Sequence, residues 1–251
     1  MIQIKSPEEI EKVRSACRIV GQVLKDIDRY VKEGTSTAEL DRLGEELIIK
    51  YGGIPAFKGY RGYKYATCIS VNEEVVHGIP GKKRLKVGDV VGVDVGAIKN
   101  GYYGDAAYTF CVGEPSKKVA KLLKYGKECL EKALMQARAG KHVGDISAAI
   151  EAHAKRGGFS VVKDLFGHGI GKELHEDPLI PNFGKVGEGP KLKWGMTLAI
   201  EPMLNVGGSE IETLSDGWTV VTKDRSLSVH FEHTILIKDK ESEILTCLPK
   251  M

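Results

Sequence analysis

No stretch of 18 or more apolar residues occurs in the chain. The opening segment Met1-Ile2-Gln3-Ile4-Lys5-Ser6-Pro7-Glu8-Glu9 has no apolar h-region. Neither a membrane span nor export is expected, and the cytoplasm is the expected location. Paired Cys-x-x-Cys spacings are missing too. Cys17, Cys68, Cys111, Cys129 and Cys247 are scattered and odd in number, which fits reduced thiols and argues against structural zinc or a disulfide scaffold. Charge of one sign is not in excess: 37 Lys plus Arg stand against 34 Asp plus Glu, which gives no case for a dedicated nucleic-acid site or a membrane-surface binder. What is there is an ordinary globular composition, 42% hydrophobic and 28% charged over 251 residues, enough for a sizeable core. No linker is long or polar enough to split it, so residues 1–251 are expected to form a single domain. With no coiled-coil seam, a monomer is expected.

The order of elements reads as though written twice. Ser6-Pro7-Glu8-Glu9 is a capping box with proline at the first helical position, followed by apolar residues at Ile10, Val13, Cys17, Val20, Leu24 and Ile27. A second helix is expected from about Ser36 to Tyr51, stopping at Gly52-Gly53, and strands then lead to an Asn100-Gly101 hairpin. From Pro115 the order recurs: a helix to about Ala139, a break at Gly140, a helix to about Arg156, the stop Gly157-Gly158 and a strand from Phe159 to Val162. Lys86-Val87-Gly88-Asp89-Val90-Val91-Gly92-Val93-Asp94 matches Lys193-Trp194-Gly195-Met196-Thr197-Leu198-Ala199-Ile200-Glu201 at a constant offset of 107, with Lys, Gly and the terminal acid in register. An internal pseudo-repeat of roughly 6–112 and 115–240 follows. The expected fold is α+β, with two helix-plus-sheet halves about a pseudo-two-fold axis and acids from each half meeting at the join.

Asp94 interrupts the apolar run Val90 to Val95, where a bare carboxylate costs several kcal/mol, roughly, unless a partner offsets its desolvation. The Asn100-Gly101 turn sits between Val90–Ile98 and Tyr102–Val112 and places Lys99 opposite Tyr102. Asp105 then faces Gly96 and Asp94 faces Ala107, so both carboxylates project from one face as diagonal neighbours, roughly 7 to 8 Å apart at Cα. That span can grip two cations about 3.5 to 4 Å from each other. His168 lies in Gly167-His168-Gly169-Ile170-Gly171, Glu201 ends an apolar strand before Pro202, and Glu232 enters another in Phe231-Glu232-His233-Thr234-Ile235-Leu236-Ile237. Read alone, each also suits a structural histidine or a salt-bridged glutamate. Together the five supply hard oxygens and one imidazole, a set suited to Mn, Fe(II) or Co more than to a closed thiolate-rich zinc site. Two metals bridged by a water supply hydroxide near neutral pH and polarise a carbonyl, the two tasks of amide hydrolysis. His77 and His175 are candidates to contact the amide and the tetrahedral intermediate.

Six segments carry a resemblance to a known family. They are His77-Gly78-Ile79-Pro80, Asp94 with Asp105 eleven residues on, and Gly167-His168-Gly169-Ile170-Gly171 with His175 beyond. With them come Ile200-Glu201-Pro202-Met203, Asp216-Gly217-Trp218-Thr219 and Glu232-His233-Thr234. On these the chain resembles the type I methionine aminopeptidases over essentially its whole length. The resemblance implies the pita-bread fold, and removal of the initiator methionine from nascent peptide N-termini, chiefly before a small second residue. It implies two divalent ions (Co, Mn, Fe(II) or Zn) held by Asp94, Asp105, His168, Glu201 and Glu232. Glu201 would also serve proton transfers, and His77 and His175 would contact substrate. Tyr60, Tyr63, Cys68, Met203 and Trp218 match positions of the methionine pocket, where a thioether side chain wants apolar and aromatic walls. The tyrosines and Trp218 also suit a plain core. Phe57, Leu174 and Gly96 depart from the family, standing where Cys, Phe and Thr are common, and His230 stands where Gln is usual, beside Glu232. Transient ribosome contact is a further implication. A proline-directed peptidase of the same fold and a non-catalytic binding relative are the rival readings.

Overall fold

A computed structural model describes residues 2–246; Met1 and Cys247 lie outside the described residues. Helix α1, Pro7–Ile27, starts at the expected capping box: Ser6 Oγ accepts from the Glu9 N–H and Glu9 Oε2 accepts from the Ser6 N–H. Its predicted face, Ile10 to Ile27, is buried, each large aliphatic side chain contributing roughly 1.5–3 kcal/mol. Helix α2, Thr37–Lys50, carries a second capping box, Ser36 with Glu39. Helices α3, Lys117–Gln136, and α4, Val143–Gly157, form the other pair. The expected end of α3 near Ala139 is corrected to Gln136. The Ala137 N–H turns back to Leu134 O and the Ala139 N–H is taken by Lys238 O, so a neighbouring segment claims the backbone a further turn would use.

Strands Val90–Lys99 and Tyr102–Cys111 pair in the register read from the Asn-Gly turn: Lys99 with Tyr102, Gly96 with Asp105, Asp94 with Ala107. Asn100 and Gly101 both have positive φ, as a type I′ turn requires. Thr67–Val71 and Ile54–Pro55 complete this sheet on the other edge of Val90–Lys99. A five-stranded antiparallel sheet runs Glu243–Ile244, His233–Leu236, Thr197–Ile200, Phe166–Gly169, Glu176–Pro181. The expected strand over Phe159 to Val162 is shorter, Ser160–Val161.

Two threonine hydroxyls tie the hairpin sheet to its neighbours, Thr234 to the five-stranded sheet and Thr109 to strand Ser228–His230 of a separate three-stranded sheet. Thr234 Oγ1 accepts from the Asp105 N–H and donates to Asp105 O, while Thr109 Oγ1 accepts from the His230 N–H and donates to His230 O. The Glu232 N–H donates to Ala107 O at 2.9 Å. One apolar core, with Leu24 and Ile27 of α1, Leu122 and Leu130 of α3, Val91, Leu198 and Phe231, underlies these sheets. Asp105 and Glu232 thus sit where the hairpin is hydrogen-bonded to the segment 230–234.

Candidate metal centre

Each of the five ligand-type side chains is delivered by a backbone position already fixed. Asp94 and Asp105 sit diagonally across the hairpin, His168 pairs with Ala199 in the five-stranded sheet, and Glu201 follows the last residue of Thr197–Ile200. Gly169 is glycine for reasons of space: a Cβ there would lie 2.2 Å from Asp177 O in the neighbouring strand. Asp105, His168 and Glu232 each offer a ligand atom within 4.8 Å of the others. Glu201 Oε1 lies 3.6 Å from His168 Nε2, and all five side chains line one cavity.

The electrostatics are those of a site short of positive charge. Asp94 is pushed up to about 7, first by burial and then by the Glu201 charge, and burial likewise raises Glu201 to about 7. Asp105 and Glu232 are driven well above the carboxylate range by burial and then by their acidic neighbours. Four carboxyl groups in such surroundings cannot all ionise unless cations join them. Asp94 Oδ1, Asp105 Oδ1 and Glu232 Oε1 are buried with no hydrogen-bond partner among the described residues. Orphaned oxygens in one cavity, with an imidazole beside them, fit a pair of divalent cations.

The rest of the cavity is mainly apolar and aromatic. Phe57, Tyr60, Tyr63, Cys68, Leu174 and Trp218 line it with His77 and His175. Met203 stands apart: it is fully buried among Val75, Val76, Val162 and Val220 and is not among the cavity-lining side chains. Arg61 does line the cavity, and sequence reasoning missed it. It occupies a positive φ of 48° between Gly59 and Gly62, with its guanidinium 5.3 Å from the centre of the Tyr60 ring. No motif announces that geometry; only the two flanking glycines hint at a turn.

His77 also has positive φ, 57°, a strained backbone of the kind that clusters at functional sites. Burial pulls it down to about 4. His175 reaches the surface at one edge while its ring lies 4.3 Å from that of His168; it is pulled down to about 3, by burial first and then by His168, Arg61 and His77. Both imidazoles are therefore neutral near pH 7 and act as hydrogen-bonding groups. The Tyr60 hydroxyl is 2.7 Å from His175 Nδ1.

Phe57 and Gly96 fit one another. A Cβ on Gly96 would meet Phe57 Cε1 at 2.4 Å and Ala56 Cβ at 3.0 Å, so the Phe57 ring occupies the space a side chain at 96 would need. Gly96→Thr alone should destabilise the chain by about 1–3 kcal/mol through overpacking. Adding Phe57→Cys should recover most of it, as a thermal-unfolding double-mutant cycle would reveal; additive losses would contradict the coupling.

Comparison with known proteins agrees with this geometry. The model of metallopeptidase family M24 matches residues 11–239. The methionine aminopeptidase of Clostridium acetobutylicum is 52% identical over 247 residues, covering 98% of this chain and 99% of the relative. Methionine aminopeptidase 1 of Bacillus subtilis is 48% identical over 246 residues, 98% of this chain and 99% of its own. The crystal structure of the Thermotoga maritima methionine aminopeptidase superposes with a TM-score of 0.96 at 49% identity, covering 98% and 99% of the two chains. A Pyrococcus furiosus prolidase shares the fold more distantly, with a TM-score of 0.81 and 27% identity over 98% of this chain and 66% of that one. The architecture is the α+β pita-bread fold, and the chain belongs to metallopeptidase family M24 and, within it, to the methionine aminopeptidases.

Proposed function

We propose that the protein hydrolyses the peptide bond after an N-terminal methionine, acting on nascent polypeptides and preferring a small second residue, as a type I enzyme. The observation that carries this reading is one cavity combining five ligand-type side chains with a wall of Phe57, Tyr60, Tyr63, Cys68, Leu174 and Trp218. The acidic end suits two divalent ions, drawn from Co, Mn, Fe(II) or Zn, on Asp94, Asp105, His168, Glu201 and Glu232. When bound, such ions activate water near neutral pH and polarise a carbonyl. The apolar end takes the unbranched thioether.

The chain's own groups supply the rest. Glu201, through a carboxylate edge left free beside the ions, would take a proton and give it back within one turnover. His77 and His175, neutral and at the cavity wall, donate hydrogen bonds to the scissile amide and to the oxygen that gains charge. Tyr60 holds His175 through Nδ1; with the Tyr60 hydroxyl as donor, the ring proton sits on Nε2 and is free to be donated. Tyr60→Phe should lower kcat roughly tenfold with little change in KM, the loss of about one orienting hydrogen bond. A raised KM at unchanged kcat would make Tyr60 a pocket wall only.

In this reading residues 1–251 are one catalytic domain with an internal pseudo-repeat of about 6–112 and 115–240. Support comes from α4, which starts 106 residues after α2, and from strand Thr197–Ile200, which starts 107 after Val90. No helix among the described residues is long and apolar enough to cross a membrane. Nascent chains place the working enzyme in the cytoplasm, as a monomer touching the ribosome transiently. The test is a peptide panel: free methionine should be released from Met-Ala-Ser and far more slowly from Met-Leu-Ser. Cleavage of a Xaa-Pro peptide instead would favour a proline-directed enzyme.

A further inference from the structure

His230 is 4% exposed, and its backbone is fixed on both sides by Thr109 Oγ1, which accepts from its N–H and donates to its C=O. Its Nε2 has no hydrogen-bond partner among the described residues. That nitrogen lies 3.5 Å from Glu201 Oε2 and 3.9 Å from Glu232 Oε2. Both gaps are at or beyond the limit of a hydrogen bond. They do suit two donors on one cation, since bonds of about 2.0–2.2 Å allow ligand atoms up to about 4 Å apart. His168 Nε2 stands in the same relation to the other oxygen, 3.6 Å from Glu201 Oε1. The Glu201 carboxylate is thus flanked by two imidazole nitrogens, one on each oxygen.

We propose that His230 Nε2 is a sixth ligand of the centre, placed beside Glu201 and Glu232 to hold a cation with them when one is bound. The proposal rests on the metal reading above and deepens it. Its chemical consequence is a change in metal preference. A site of carboxylates alone suits Mn or Mg, whereas an added imidazole shifts it toward Fe(II), Co and Zn. A glutamine at 230 would put a neutral amide in place of the basic ring nitrogen.

Pulsed electron paramagnetic resonance on the full chain loaded with two Mn(II), with and without ¹⁵N-histidine, counts directly coordinated imidazoles. The wild-type protein should show two and His230→Gln one. Calorimetric titration of the metal-stripped proteins provides the second readout. His230→Gln should weaken one of two Co(II) sites roughly 10- to 100-fold and the corresponding Mn(II) site less. One coordinated imidazole in the wild-type protein with both sites filled overturns the proposal and leaves the metal reading standing. A wild-type protein that binds no divalent ion overturns both. The wild-type count needs no variant, so it decides the matter even where His230→Gln does not fold.

Discussion

Asp105→Asn should lower methionine release by a factor of roughly 10³ or more, which corresponds to about 4 kcal/mol of transition-state stabilisation. Bound metal should fall from two ions to one or fewer. The side chain is 5% exposed, its Oδ1 is orphaned, and it shares a 4.8 Å cluster with His168 and Glu232. An amide keeps the shape, and the backbone bonds to Thr234 Oγ1 stay in place. The loss therefore reports charge and not collapse. Thermal unfolding at pH 5, where cations matter least, serves as the control on folding. Full activity with unchanged metal content would remove Asp105 from the centre.

The metal-free protein should become less stable as pH rises from about 6.5 to 8, above the range in which His77, His175, His230 and His233, held down by burial, gain from rising pH. Asp94 and Glu201 have ordinary values of 3.8 and 4.5 and are raised to about 7 in the fold, and Asp105 and Glu232 are raised further. A carboxyl whose folded value is raised stabilises the fold fully below its unfolded value and loses that contribution as pH climbs through the folded one. Between pH 5 and 8 the buried groups must ionise against burial and one another. Divalent cations bind the ionised form, so the metal-dependent rise in Tm should be large at pH 8 and small at pH 5. At 100 times Kd a single site contributes about 2.7 kcal/mol, or roughly 5 °C or more for a chain of this size. Differential scanning calorimetry across the pH range, with and without Co(II), makes the comparison. A Tm independent of both pH and metal would show that these carboxyls are not clustered as described.

How much of this was legible in the sequence depends on whether local chemistry or distant pairing sets the position. The Asn100-Gly101 turn has one favoured geometry, so a two-residue loop fixed ten cross-strand pairs and put Asp94 and Asp105 on one face. The capping box at Ser6 and Glu9 fixed the start of α1 in the same local way. The partnership of His168 with Glu201 depends on strand Phe166–Gly169 pairing with Thr197–Ile200, nearly thirty residues away, and no spacing rule gives that register. The end of α3 was decided by Lys238, from a segment about a hundred residues on. Met203 follows Glu201 and Pro202 in the chain, yet its side chain packs among four valines away from the cavity. Arg61 reaches the cavity from a left-handed backbone conformation that nothing in its residue type favours.

Metal-dependent hydrolysis is tested most directly by the free methionine released from Met-Ala-Ser by the metal-stripped protein, before and after Mn(II), Co(II), Fe(II) or Zn(II) is restored. No methionine should be released without metal, and at least one of the four should restore release, which is lost again in Asp105→Asn. Release that survives complete stripping, or silence with every metal, would contradict metal-dependent hydrolysis.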